Sequence, residues 1–257
     1  YRTPAIHVTV LGVFTNTTAT APYRGAGRPE ACYVIEGIID RAARELGIDR
    51  IELRRRNLIP PNAMPFKTGL VYTYDCGEFE TCMNKALDHA RVEGYEARRA
   101  ESRKRGKLRG LGIVNAIERA AAPPGGETAE IRFDATGSVT FLTGTTAQGQ
   151  SHETMYKIIL SDKLGIDSSE INFIQGDTDK VVWGVGTFGS RAAVIGGSAA
   201  VIAADKIIAK GKKIAAHIFE AAEVDIEFAK GTFAVAGTDK RMPIKEIARA
   251  AFIPGRM

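Results

Sequence analysis

Three glycine-rich runs hold the residues best placed to do chemistry. Tyr23, Arg24, Gly25, Ala26, Gly27 and Arg28 put two glycines between two guanidinium groups, directly ahead of Pro29 and Glu30. Gln148, Gly149, Gln150, Ser151 and His152 form the second run, and Gly184, Val185, Gly186, Thr187, Phe188, Gly189, Ser190 and Arg191 the third. Glycine reaches φ > 0 and carries no Cβ, so such turns bring backbone close to a bulky ligand. Each run precedes a candidate helix, whose first N–H groups are unpaired and favour an anion. The forks of Arg24 and Arg28 match phosphate or oxo groups, and Thr187, Ser190 and Arg191 offer hydroxyls and a guanidinium at a helix start. Gln148 and Gln150 have both donors and acceptors, suited to the edge of a heteroaromatic ring or a metal oxo ligand rather than to proton transfer. Three such turns in one chain point to one large polar cofactor.

The competing reading pairs Arg24 and Arg28 with surface carboxylates, makes the glutamines a hydrogen-bonded loop end, and lets His152 satisfy loop carbonyls. Other chemistries fit less well. Ser190 lacks the Gly-x-Ser-x-Gly setting of a nucleophile, and nothing near His152 in sequence orients it as a base. His7, His89, His152 and His217 never stand at i, i+4, and Cys32, Cys76 and Cys82 have no C-x-x-C spacing. Neither a protein-built metal site nor a disulfide framework is legible, and a reduced, cytoplasmic setting is expected. Asp177 and Asp179 read as a turn and cap.

The net charge of +5 gathers in residues 41–56 and 98–109. The second cluster has no aromatic residue after Tyr95 and no accompanying nucleic-acid motif, so it reads as a solvated helix end. An apolar content of 44% over 257 residues supports a substantial core. No apolar run is read as approaching the ~18 residues that span a bilayer. The start at Tyr1-Arg2-Thr3-Pro4 is not a signal peptide, and a strand-like run from His7 to Val13 is already under way, which suggests a fragment of a longer chain.

These runs need elements to hold them. Pro29 opens a helix in which Val34, Ile35, Ile38, Ile39, Ala42, Ala43 and Leu46 recur on one face until Gly47, which predicts a buried helix behind the first run. Asp49 and Glu52 have capping-box spacing and open a short basic helix that Pro60-Pro61 ends. Helices are expected over 80–90 and 95–105. Beyond Gly106 the pattern becomes extended: strands over 111–117, 127–133 and 139–143, the last two a hairpin, with a loop over 120–126. Met155, Ile158, Ile159 and Leu164 give the next helix its apolar face, and 171–175 is a strand. An alanine-rich helix runs to Glu220, then a hairpin over 226–235 and a short helix after Pro243. The fold class is α+β, two mixed units with a boundary near residue 105.

Taken together, the first run, the stretch 36–59 ending in Glu52-Leu53-Arg54-Arg55-Arg56-Asn57-Leu58-Ile59, the run Gly144 to Thr154, the segment Gly176-Asp177-Thr178-Asp179 and the third run resemble the large, molybdenum-binding subunit of the molybdenum hydroxylases. This is the xanthine dehydrogenase, aldehyde oxidase and carbon monoxide dehydrogenase family. The resemblance implies a molybdenum held by molybdopterin, in the cytosine dinucleotide form usual in bacteria, with no metal ligand from the protein itself. It makes residues 1–105 the later part of a first molybdenum-cofactor-binding domain and 106–257 the earlier part of a second. It also implies iron–sulfur and FAD partners on other domains or subunits, and oxidation of an aldehyde or N-heterocycle with oxygen from water. Cofactor contacts carry over to Tyr23 through Arg28, Gln148 through His152, and Thr187 through Arg191.

Departures from the family pattern sharpen the expectation. Copper-containing carbon monoxide dehydrogenases resemble the first run but have cysteine where Gly25 stands, so no soft sulfur is present to hold copper. Xanthine-oxidising members have phenylalanine where Ala26 stands. Ser151 replaces a glycine, and Ala192 a Ser or Thr of the phosphate cradle. The family's general base is a glutamate in a Gly-Glu motif, and Gly77-Glu78 and Gly126-Glu127 are in the wrong places to be it. No catalytic residue is therefore assigned, and the 257 residues alone are expected to be inactive. The alternative is a non-catalytic cofactor-binding or assembly subunit of the same family.

Overall fold

The computed structural model describes residues 1–121 and 125–253, so part of the expected 120–126 loop lies outside the described residues. The chain divides into two compact units, Tyr1–Glu118 and Arg119–Met257, and the α+β class holds.

In the first unit, helix α1 (Arg28–Leu46) starts at Pro29 and ends where Gly47, at φ 64°, returns its N–H to the Ala43 and Arg44 carbonyls. Helix α2 (Arg50–Asn57) is capped by Asp49, whose side chain accepts from the Ile51 and Glu52 N–H groups. The short strands β1 (Phe66–Lys67) and β2 (Thr73–Tyr74) pair antiparallel, and helices α3 (Phe79–His89) and α4 (Tyr95–Lys104) follow. The burial expected for α1 is met in full only at Ala43. Val34, Ile35, Ile38 and Leu46 are exposed, whereas its buried residues are Glu36 and Ala43. The reason is Arg54, wholly buried on α2: its guanidinium reaches Glu36 and Asp40, so the helix turns that polar stripe inward.

Two expected strands are absent. Residues 7–13 are exposed, and neither they nor 111–117 join a sheet among the described residues. Alternation alone does not make a strand, because a neighbour must take up the backbone N–H and C=O groups. The second of these segments also stays with the first unit instead of opening the second. Arg50 donates to the Leu111 carbonyl (2.6 Å) and Asn115 to the Tyr1 hydroxyl (3.2 Å), beside an apolar cavity of about 520 Å³ lined by residues such as Ile59, Phe79 and Met83.

The second unit is built on strands β3 (Ala129–Phe133), β4 (Val139–Thr143) and β5 (Ile171–Gln175) in that order. β3 and β4 form the expected hairpin, with Asp134 Oδ1 accepting from the Thr136 and Ser138 N–H groups. β5 runs parallel to β4, which requires the crossover helix α5 (His152–Leu164). A π-helical turn (Ala192–Gly196) leads into helix α6 (Gly197–Phe219). Strands β6 (Ile226–Ala229) and β7 (Thr232–Val235) form the second expected hairpin. Strand β8 (Arg241–Pro243), not foreseen from the sequence, joins it ahead of helix α7 (Ile244–Ala250). Val139, Phe141, Tyr156, Leu160, Ile171, Ala200 and Phe233 lie in the shared core.

Contrary to the sequence expectation, one stretch does reach spanning length. Ala192–Phe219 is long and apolar enough, by length and composition, to cross a membrane. In this fold it is the core helix of the second unit, and Ala200, Ala204, Gly211 and Ala215 are buried along it. Their small side chains allow close approach, so that a Cβ on Gly211 would strike the Phe233 ring.

Candidate functional site

The second and third glycine-rich runs come together at one end of the second unit. The chain leaves β4 through Gly144, which meets Gly184 so closely that neither tolerates a Cβ. Thr146 donates its N–H to Thr187 Oγ1 (3.1 Å), and Gln175, the last residue of β5, accepts from the Ala147 N–H (3.0 Å). Both loops then enter the left-handed region repeatedly: Gly149 (φ 99°) and Ser151 (58°) in one, Gly186 (97°), Gly189 (57°) and Ser190 (52°) in the other. Backbone of this kind turns N–H groups into an anion-receiving concavity. A Cβ added at Gly149 or Gly186 would meet nothing within 4 Å, so both loops face open space.

Gln148 and Gln150 engage each other. Gln150 Nε2 donates to Gln148 Oε1 (3.1 Å), and Gln150 Oε1 accepts from the Gln148 N–H. His152 begins α5 with only 4% of its surface exposed, edge-on to Tyr156. Its Nδ1 is buried and has no hydrogen-bond partner. A buried, unpaired polar atom costs about 1–3 kcal/mol, and this one stands at the end of the second glycine-rich run. Burial holds the His152 pKa below the ordinary histidine value. The folded state then binds fewer protons than the unfolded one, so stability is full above about pH 6.5 and declines as pH falls below it. The urea midpoint of the second unit is expected to drop between about pH 7.5 and 5.5, and His152→Phe to flatten that slope.

Arg191 corrects the sequence reading. Its guanidinium does not join an anion cradle but is buried, donating to Glu127 Oε2 (2.6 Å), to the Gly186 carbonyl (2.9 Å) and to the Gly126 carbonyl. Phe188 lies beside it, with the guanidinium carbon 5.4 Å from the ring centre. Ala192 is buried too, and its carbonyl accepts from the Tyr156 hydroxyl (3.1 Å), which also bonds Thr145 Oγ1 (2.9 Å). Sequence reasoning missed Glu127 and Tyr156. For Tyr156 a signal was available, four residues after His152 on the same helix face.

The first run stands on the other unit. Gly25 (φ 97°), Ala26 (44°) and Gly27 (91°) are left-handed in succession, and tight bonds from the Ala26 N–H to the Tyr23 carbonyl (2.6 Å) and from the Arg28 N–H to the Gly25 carbonyl (3.1 Å) close the turn. Tyr23 is exposed. Arg28 forms an ion pair with Glu118 (3.0 Å), as the competing reading had it. At Gly25 a Cβ would fall 2.6 Å from Pro29 Cδ, so this backbone admits no side chain there.

Comparison with known proteins shows the family of the chain. Over 98% of its length the chain is 38% identical to the carbon monoxide dehydrogenase large chain of Afipia carboxidovorans and 31% identical to the nicotine 6-hydroxylase large subunit of Paenarthrobacter nicotinovorans, covering 34% and 32% of those proteins. It thus spans about a third of the length of the curated relatives it matches. Quinoline 2-oxidoreductase from Pseudomonas putida superimposes with a TM-score of 0.75 at 34% identity, over 91% of this chain and 32% of that one. Two models described as molybdopterin cofactor-binding domain match residues 1–58 and 85–256, and the chain accordingly belongs to the molybdopterin cofactor-binding family that builds the large subunits of molybdenum hydroxylases.

Proposed function

We propose that the second unit binds molybdopterin, in its cytosine dinucleotide form, through Gln148, Gly149, Gln150, Ser151, His152, Thr187, Phe188, Gly189 and Ser190, with Arg191 acting through the shape of the loop. The observation that carries this reading is the Thr146–Thr187 tie, which brings together two turns rich in left-handed residues, one of them ending at a histidine with a buried, unpaired ring nitrogen. The N–H groups of the turns receive phosphate, and the paired glutamines present amide edges to the pterin. The turn of Tyr23, Arg24, Gly25, Ala26, Gly27 and Arg28 is assigned cofactor contacts separately, on its own three left-handed residues.

When bound, the cofactor supplies molybdenum redox chemistry that hydroxylates carbon with oxygen from water. The whole protein is read as a hydroxylase of an aldehyde or N-heterocycle, a reading supported by relatives named for nicotine and quinoline that match over most of this chain. The crowding of Gly25 against Pro29 leaves no place for a copper-holding thiol, which sets the chain apart from copper-dependent CO oxidation. Iron–sulfur and flavin groups on partner domains or subunits would take the electrons. The three free cysteines fit a cytoplasmic setting. The test is the molybdenum and pterin dinucleotide content of the protein purified from its source with its accompanying subunits. Near-stoichiometric amounts are expected, and a folded sample holding neither refutes the assignment.

A further inference from the structure

We propose that Glu127 and Arg191 are a positioning pair that holds the turn at 184–191 in the shape its ligand meets, an inference that rests on the cofactor assignment above. Their side chains are 0% and 1% exposed. The single carboxylate of Glu127 gathers four donors: Arg191 (2.6 Å) and the Gly186 N–H (3.3 Å) on Oε2, the Val185 N–H (3.3 Å) and the Thr128 N–H (3.0 Å) on Oε1. Arg191 spends its other bonds on the Gly186 and Gly126 carbonyls. Two chain segments 64 residues apart, one leading into β3 and one into the π-helical turn before α6, are thereby fastened to each other.

A buried ion pair is a costly way to gain stability, and apolar residues of similar volume often do as well. What this pair adds is direction. The carboxylate is the acceptor for two successive N–H groups of a turn, and Gly186, Gly189 and Ser190 in that turn have positive φ, a conformation a non-glycine residue such as Ser190 adopts only when its surroundings impose it. Gly144 is part of the same device, since a Cβ there would meet Glu127 Oε1 as well as Gly184. Both charged side chains are buried, whereas a Cβ at Gly186 would meet open space, so the pair is placed to act through the backbone of the turn.

The experiment uses the complete protein with its accompanying subunits and compares wild type with Glu127→Asp and with the double variant Glu127→Leu/Arg191→Met. It reads the melting temperature, hydrogen exchange at amides 185–190 in cofactor-free samples, and molybdenum per polypeptide. The double variant is expected to melt like wild type yet to exchange those amides about tenfold faster or more and to lose most of its molybdenum. Glu127→Asp keeps the charges but withdraws the carboxylate from the turn, and should speed exchange at 185 and 186 even if the double variant fails to fold. Wild-type exchange and wild-type molybdenum in a folded variant would overturn the proposal. A wild-type protein without molybdenum whose amides 185–190 are protected, and lose that protection in the variants, would instead overturn the cofactor assignment and uphold the positioning pair.

Discussion

Arg54→Met is expected to destabilise the first unit by about 3–5 kcal/mol, the cost of leaving a buried charge without its partner. Arg54 is fully buried and donates from Nε to Glu36 Oε2 (2.8 Å), from Nη1 to Asp40 Oδ1 (2.8 Å) and to the Arg50 carbonyl (3.0 Å). The other Glu36 oxygen accepts from the Tyr1 hydroxyl (2.6 Å), and the Glu36 side chain is buried, so the carboxylate loses its charged partner once the arginine is gone. Asp40 is less affected, being partly exposed and 3.8 Å from Arg50. The control is Arg41→Met, whose partner Glu45 sits four residues on with both side chains well exposed. Such a pair contributes about 0–1 kcal/mol. Hydrogen exchange of the α1 and α2 amides in urea measures both variants. A second comparison isolates the cause: Glu36→Leu combined with Arg54→Met should regain much of the loss, because a neutral pair removes the orphaned charge. Equal midpoints for Arg54→Met and Arg41→Met would show that Arg54 does not hold the two helices together.

That result bears on what could be read from sequence. Arg54 sat inside a basic stretch, where local composition argues for solvent, and its partners Glu36 and Asp40 lie 18 and 14 residues away. The apolar stripe of α1 was legible, but which stripe faces inward was decided by a buried arginine on another helix, and periodicity does not carry that information. Helix starts and stops were read well where one residue decides them locally, as at Pro29, Gly47 and Asp49. The hairpins at 129–143 and 226–235 were legible for the same reason, since their turns are short. Strands at 7–13 and 111–117 were not, because pairing depends on a neighbour the segment does not encode. The site shows the same division. The two glycine-rich turns of the second unit follow from glycine spacing, whereas the direction of Arg191 depends on Glu127, 64 residues earlier. A glutamate considered only as a candidate base gave no sign of being a partner.

Gly144→Ala should have the largest effect on the candidate site while adding only one methyl group. The new Cβ would be driven into Gly184 and against Glu127 Oε1, and one of those neighbours is backbone that no rotamer change can move. Overpacking of this kind costs about 1–3 kcal/mol, and the strain is relieved most cheaply by parting the two loops, because Thr146–Thr187 is the exposed bond beside the contact. Parting them separates the N–H groups of 149–151 from those of 186–190. A loss of about 1–3 kcal/mol in ligand binding corresponds to roughly 5- to 150-fold in affinity, so molybdenum per polypeptide should fall steeply while the β3–β4–β5 core, centred on Phe141 and Tyr156, stays folded. Gly186→Ala separates this from a general intolerance of side chains: its Cβ meets nothing within 4 Å, and its penalty comes from φ 97° alone. If Gly144→Ala holds its cofactor as wild type does, the two loops do not have to be adjacent, and the site must be rebuilt around one of them.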